Sequence, residues 1–158
     1  MRSLILAVLA GSAIAGCSSS AELSPQQRNI QRGIVENRIG VMERHMNNRS
    51  LDSLFAMYSE SPASKLVWWD GTAAVGPEAV QEAIRSAFNS VQYQSIGAQS
   101  PAVEVLSRNA AVSTFGYSLD IVRNDTSRDP FSGRAVIVWT RVGEGDWKIH
   151  TQQMSRNP

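Results

Sequence analysis

After residue 93 the apolar side chains change their period: before it they recur every three or four positions, after it every second one. A period of two sends alternate side chains to opposite faces of a strand, and a period near 3.6 gathers them into one helical stripe. Helices first and strands afterwards specify an α+β fold in which helices lie against one sheet. Strands are expected at 102–106, 110–122, 131–142 and 147–154, with turns at 107–109, 123–130 and 143–146. Connections this short make neighbouring strands antiparallel. The 131–142 segment is apolar on both faces, Phe131, Ala135, Ile137 and Trp139 on one and Val136, Val138 and Val142 on the other. The helices of one small domain can cover only one of these, so the second calls for a partner, and a homodimer through Val136, Val138 and Val142 is expected.

The first half supplies the helices. Ser24-Pro25 is a cap followed by proline at the first helical position, and the helix should run to about Asn47. Val35, Ile39, Met42 and Met46 form its stripe, Ile30, Ile34 and Val41 widen it, and Arg38 and His45 project between the apolar rows. Ser50 starts a second helix through Tyr58. Residues 65–69 and 72–75 read as a hairpin around a two-residue Asp70-Gly71 turn, and Gly76-Pro77-Glu78 opens a third helix carrying Val80, Ile84 and Phe88.

The single cysteine constrains the rest. Met1 and Arg2 give a positive start, residues 4–15 an apolar core, and 13–17 a run of small residues, which is the layout of a signal peptide. About 18 Å of helix is too short for a ~30 Å hydrocarbon core. Ile14-Ala15-Gly16-Cys17 resembles the bacterial lipobox, which implies lipid attachment at Cys17 after removal of residues 1–16. Residues 17–24 would then be a short tether, and 25–158 the domain. The resemblance implies a cell-envelope protein anchored to a membrane, the outer one if the host has two, because Ser18 is not aspartate. Without Arg2 the mature chain carries fourteen basic and fourteen acidic residues, so no nucleic-acid footprint is expected. His45 and His150 lack nearby ligand partners, so neither a metal nor another cofactor is expected.

The order of elements, with Met57-Tyr58, Trp69-Asp70-Gly71, Val75-Gly76-Pro77-Glu78-Ala79-Val80 and Trp147-Lys148-Ile149, resembles the SnoaL-like branch of the nuclear transport factor 2-like superfamily over about residues 27–155. The resemblance implies a cone-shaped, curved antiparallel sheet wrapped around three helices, also described as a cystatin-like roll, usually with an apolar pocket and often dimeric. Function varies widely on this fold. The ketosteroid isomerases resemble the chain only in outline, since Met42 stands about where they carry a tyrosine and Ile137 near their aspartate. Arg134 has no carboxylate on its strand to form the acidic pairs of the epoxide hydrolases, and no histidine-rich dehydratase pocket is visible.

Seven residues are candidates for a pocket: Tyr58, Trp69, Tyr117 and Trp139 as aromatic lining, and Arg38, His45 and Gln153 as its polar groups. By simple alternation Gln153 shares the face of Trp147 and Ile149, where it would offer a neutral donor and acceptor to a carbonyl or hydroxyl; otherwise it is a strand-end residue near solvent. Catalytic residues are not assigned. Three functions remain: non-catalytic binding of a small hydrophobic ligand or a protein partner, acid–base chemistry on a small carbonyl or hydroxyl compound, and a structural envelope role. Cavity volume separates them. An open pocket walled by Arg38, His45 and Gln153 favours the enzyme, an open apolar one binding, and a filled core the structural role.

Overall fold

The computed structural model describes residues 22–158, so the expected leader, Cys17 and the first part of the tether lie outside the described residues. Helix α1 (Pro25–Asn47) starts on a capping box: Gln27 N–H donates to Ser24 Oγ at 3.2 Å, and Ser24 N–H donates to Gln27 Oε1 at 2.9 Å. Together these satisfy two of the otherwise unpaired amides of the first turn. Leu23, ahead of the cap, is already buried. Val35, Ile39, Met42 and Met46 form the buried stripe, whereas Ile30 and Ile34 remain exposed, so the apolar face is narrower than the sequence spacing indicates.

Helix α2 (Leu51–Phe55) stops three residues short of Tyr58. The chain leaves the helix because Ile149 offers backbone partners: Ile149 N–H donates to the Met57 carbonyl and Ser59 N–H to the Ile149 carbonyl, both at 2.8 Å. Strands β1 (Lys65–Val67) and β2 (Ala73–Val75) form the expected hairpin, and α3 (Pro77–Asn89) follows Gly76. The turn is different from the one expected. Gly71 N–H donates to the Trp68 carbonyl and Trp68 N–H to the Thr72 carbonyl, leaving a three-residue loop, Trp69-Asp70-Gly71, with positive φ at Gly71. Asp70 fixes it by accepting from both the backbone and hydroxyl of Thr72.

The long strands are β3 (Val91–Val105), β4 (Ala110–Arg123), β5 (Arg128–Thr140) and β6 (Lys148–Arg156). The sheet order is β2-β1-β6-β5-β4-β3. All pairings are antiparallel except β1 with β6, so the sheet is mixed, a correction to the expected purely antiparallel one. β3 begins eleven positions earlier than expected because register shifts at 91/93 and 99/102 break its alternation. Its outer edge is closed by α1. Ile96 N–H donates to Asn47 Oδ1 at 2.7 Å, Asn47 Nδ2 donates to the Ile96 carbonyl at 2.9 Å, and Ala98 N–H donates to Glu43 Oε2 at 3.1 Å.

The four long strands curl around α1 and α3 as a cone, burying Phe115, Tyr117, Ile137, Trp139 and Ile149 on the concave side. The opposite face carries Val136, 41% exposed, and the half-buried Val138, while Val142 falls beyond the end of β5 in the turn and is 94% exposed. Gly133 allows the tightest approach in the sheet. A Cβ there would lie 1.9 Å from the Ser155 carbonyl oxygen and 2.7 Å from the Tyr117 ring. Gly133→Ala must therefore separate β5 from β6 or displace Tyr117, and a loss of about 3 kcal/mol or more in denaturant unfolding is expected, the upper end of overpacking costs. A value under about 0.5 kcal/mol contradicts this packing.

Candidate functional site

Two ends of the cone differ in chemistry. At one, the Trp68–Thr72 loop, the last turn of α3, the end of α1 and the adjoining ends of β3 and β4 converge on an apolar void of about 50 Å³. Met46, Phe88, Leu119 and Ile121 line it from inside and Trp68 and Trp69 close it from outside. The same tryptophans, with Ala83, Ala87 and Arg123, border an outer recess of about 390 Å³. The aromatic rings continue inward edge-to-face: Trp68 to Trp69 and Trp69 to Phe131 at 5.1 Å between centroids, then Phe131 to Tyr117 at 6.2 Å. Arg156 stacks over Phe131 at 4.3 Å and pairs with Asp129, which Arg123 also holds at 3.1 Å. These two guanidiniums hold the Asp129 carboxyl below the usual carboxylate range, with the Arg156 hydrogen bond the larger cause.

At the opposite end a groove of about 660 Å³ runs between α2, the start of α3 and the β5–β6 turn. It is larger and, like the outer recess, open to solvent, and Tyr58 is the one predicted pocket residue on its wall. Its volume falls within the range of ligand sites, and its wall differs from the mouth in carrying Glu60, Arg141, Asp146 and Lys148 in place of the two indoles.

Of the seven predicted pocket residues, Trp69 stands at the aromatic mouth. Tyr117 and Trp139 are core, 1% and 0% exposed, with the Trp139 indole donating to Ser113 Oγ at 2.8 Å. Arg38 and His45 are half-buried on a flank of α1 and border neither the mouth nor the groove. The Arg38 Nε is buried without a hydrogen-bond partner.

Gln153 is a correction. It is exposed on the convex face, and Gln152 is the buried glutamine. A register shift opposite Val138 and Trp139 is the cause: Val138 pairs with Thr151 and Trp139 with Ile149, so His150 is extra and the alternation changes phase. Such a bulge adds one residue to one strand only and is invisible to a period-two count. Thr151 and Gln153 do share a face, the one opposite Ile149.

Gln152 accepts from the Tyr58 hydroxyl at 2.7 Å inside the core. Burial pushes the Tyr58 phenol pKa far above its ordinary value, so this group is a neutral donor. The bond ties the segment that follows α2 to β6. Sequence reasoning missed it because both partners acquire their burial from the bulge and the Tyr58–Ile149 bridge.

This curled mixed sheet around helices is the nuclear transport factor 2-like fold. The SnoaL-like domain model matches residues 35–158, and the chain belongs to that family. Among solved structures, it is similar to a nuclear transport factor 2-like superfamily protein from Salmonella enterica serovar Typhimurium LT2, at 18% identity and TM-score 0.75 over 82% of this chain and 93% of that one. A candidate scytalone dehydratase from Novosphingobium aromaticivorans gives 12%, 0.73, 82% and 86%. A ketosteroid isomerase-like protein from Erwinia carotovora atroseptica gives 16%, 0.71, 82% and 99%. At these identities the likeness is one of fold. No curated protein sequence matches the chain.

The bulge makes the two adjacent glutamines unequal. Gln152→Leu leaves the buried Tyr58 hydroxyl unpaired and should cost about 1–3 kcal/mol in denaturant unfolding. Gln153→Leu, on the exposed face, should stay within about 0.5 kcal/mol of wild type. The reverse order would place Gln153 inside.

Proposed function

We propose that the mature protein is a lipid-anchored envelope component whose SnoaL-like domain binds a small, flat, apolar ligand without catalysis. The observation that carries this reading is the Trp68–Trp69 mouth, a half-buried aromatic surface over an apolar void and beside an open recess. Acid–base catalysis needs polar groups facing one substrate within hydrogen-bond reach. Arg38, His45 and Gln153 lie instead on a helix flank and on the convex sheet face, and Tyr58 and Gln152 are bonded to each other in the core. The void of about 50 Å³ is far below the ~300 Å³ at which ligand pockets begin. A ligand therefore lies in the outer recess against the indoles, with Arg123 at the rim for a polar end. The filled interior also favours a second reading, a structural envelope protein that binds no small molecule.

Titration with naphthalene-sulfonate dyes decides between them. Wild type should bind, and Trp69→Ala should weaken binding about tenfold, equivalent to ~1.4 kcal/mol. No binding by wild type, with the fold intact, selects the structural reading; undiminished binding by the variant removes the site from the mouth.

Anchoring rests on the lipobox-like segment ending at Cys17. Cys17→Ser should shift the protein from the membrane fraction to an uncleaved or soluble form, and normal maturation with full membrane retention would sink the reading. Dimerisation rests on the apolar side chains Val136 and Val138 of the outward sheet face. About 1,600 Å² of total buried surface would make a standard specific interface there. Wild type should run as a dimer in light scattering at tens of micromolar and Val138→Lys as a monomer; a monomeric wild type ends this part.

A further inference from the structure

The end of the cone away from the tryptophan mouth carries the amino terminus of the described chain. The Arg28 guanidinium donates to the Leu23 carbonyl at 3.4 Å and to the Val105 carbonyl at 3.2 Å, pinning the first turns of α1 beside the β3–β4 turn. The β5–β6 turn is stapled to the same place: Arg141 N–H donates to the Asn109 carbonyl at 3.2 Å, and Arg141 Nε donates to the Arg108 carbonyl at 2.7 Å. These two joined turns present aliphatic side chains to solvent, Leu106 at 52% exposure and Val142 at 94%.

Single exposed aliphatic residues are ordinary on protein surfaces. Here two sit on turns bonded to one another, at the end where the chain arrives from Cys17. Five peptide steps separate Cys17 from Glu22, which span at most about 17 Å fully extended. Helix α1, with its 23 residues, is about 35 Å long, so the tryptophan mouth at its far end lies well beyond that reach. An anchor at Cys17 therefore holds the Leu106 and Val142 end close to the lipid surface. Arg141, next to Val142, is already engaged: its Nε donates to the Arg108 carbonyl and its guanidinium stacks over Trp147 at 4.9 Å, so the contact at this end rests on Leu106 and Val142 themselves.

We infer that Leu106 and Val142 enter the interfacial layer of the bilayer, so that the domain stands end-on with its tryptophan mouth toward the aqueous phase. This orientation rests on the lipid-anchor reading. It makes the tether a positioning element as well as a leash, and it leaves the proposed ligand recess and the outward sheet face free of lipid. Because the mature chain is neutral, the contact depends on apolar insertion and not on anionic lipid.

The test uses the complete acylated chain in phosphatidylcholine vesicles. Cys17 is the only cysteine, so once it is acylated a second one is the sole free thiol. Val142→Cys, Ser86→Cys near the end of α3, and Asn37→Cys on the outer side of α1 are each labelled with a nitrobenzoxadiazole fluorophore. Lipid-borne nitroxides should quench the label at 142 several-fold more strongly than those at 86 and 37, with an emission shifted to the blue. A water-like label at 142, or equal quenching at 37, overturns the end-on orientation. The intact mass separates the two ideas: an acylated chain with a solvated label at 142 defeats this inference alone, and a chain without acyl mass defeats the anchor reading and this one together.

Discussion

The outer edge of β3 is closed by helix α1, and the remaining architecture follows from that seam. An edge strand exposes unpaired amides and carbonyls that must be covered or masked. Asn47 answers Ile96 with both its donor and its acceptor, Glu43 takes the Ala98 amide, and the Gln94 side chain donates to the Met46 carbonyl at 3.3 Å. These contacts fix the roll of α1, so that Val35, Ile39, Met42 and Met46 point into the concave face. The sheet must curl to meet them. At the far end of the seam Arg49, with φ of 54°, reaches the Val91 carbonyl at 3.1 Å and also the Phe88 carbonyl, joining α1 to the α3–β3 junction beside the tryptophan mouth.

Once α1 is seated, the interior fills. Trp139, Trp147, Phe88 and Ile149 are each at most 2% exposed, and the polar atoms that enter with two of them are paired: the Trp139 indole with Ser113, and the Trp147 indole with Gln31 Oε1 at 3.1 Å. Close packing of this kind leaves space at the rim instead of in the middle. The fold is one on which activities differ widely, and in this chain large aromatics fill the concave side of the sheet, while Trp68 and Trp69 at the rim stay only partly covered.

The bulge at His150 has effects out of proportion to its size. It exchanges the roles of two adjacent glutamines, one becoming a core hydrogen-bond acceptor and the other a surface residue. By the same shift Thr151 joins Val138 on the outward face. That face is the one on which a dimer is proposed, so this extra residue helps set the composition of both sides of β6.

The sequence alone was enough for the α+β class, the first and third helices, the pairing of the hairpin strands though not its turn, and three of the long strands, because each is written in a local period with its own flanking signals. Ser24-Pro25 and Gly76-Pro77 mark helix starts through backbone geometry that needs no tertiary partner. The burial of Trp139 and Ile137 was equally legible from alternation. What only the tertiary structure decided are the features that depend on a neighbour across space. Helix α2 ends at Phe55 because Ile149 competes for the backbone of Met57 and Ser59. β3 extends back to Val91 because β4 and α1 satisfy both its edges. Gln152 turns inward because an extra residue opposite β5 shifts the phase, and Arg38 and His45 fall outside the mouth because the seam with β3 fixes the roll of α1. Local periodicity fixes which residues can be buried together, whereas registry between strands and the roll of a helix are set by hydrogen bonds between segments distant in the chain, and those decide which side chains meet.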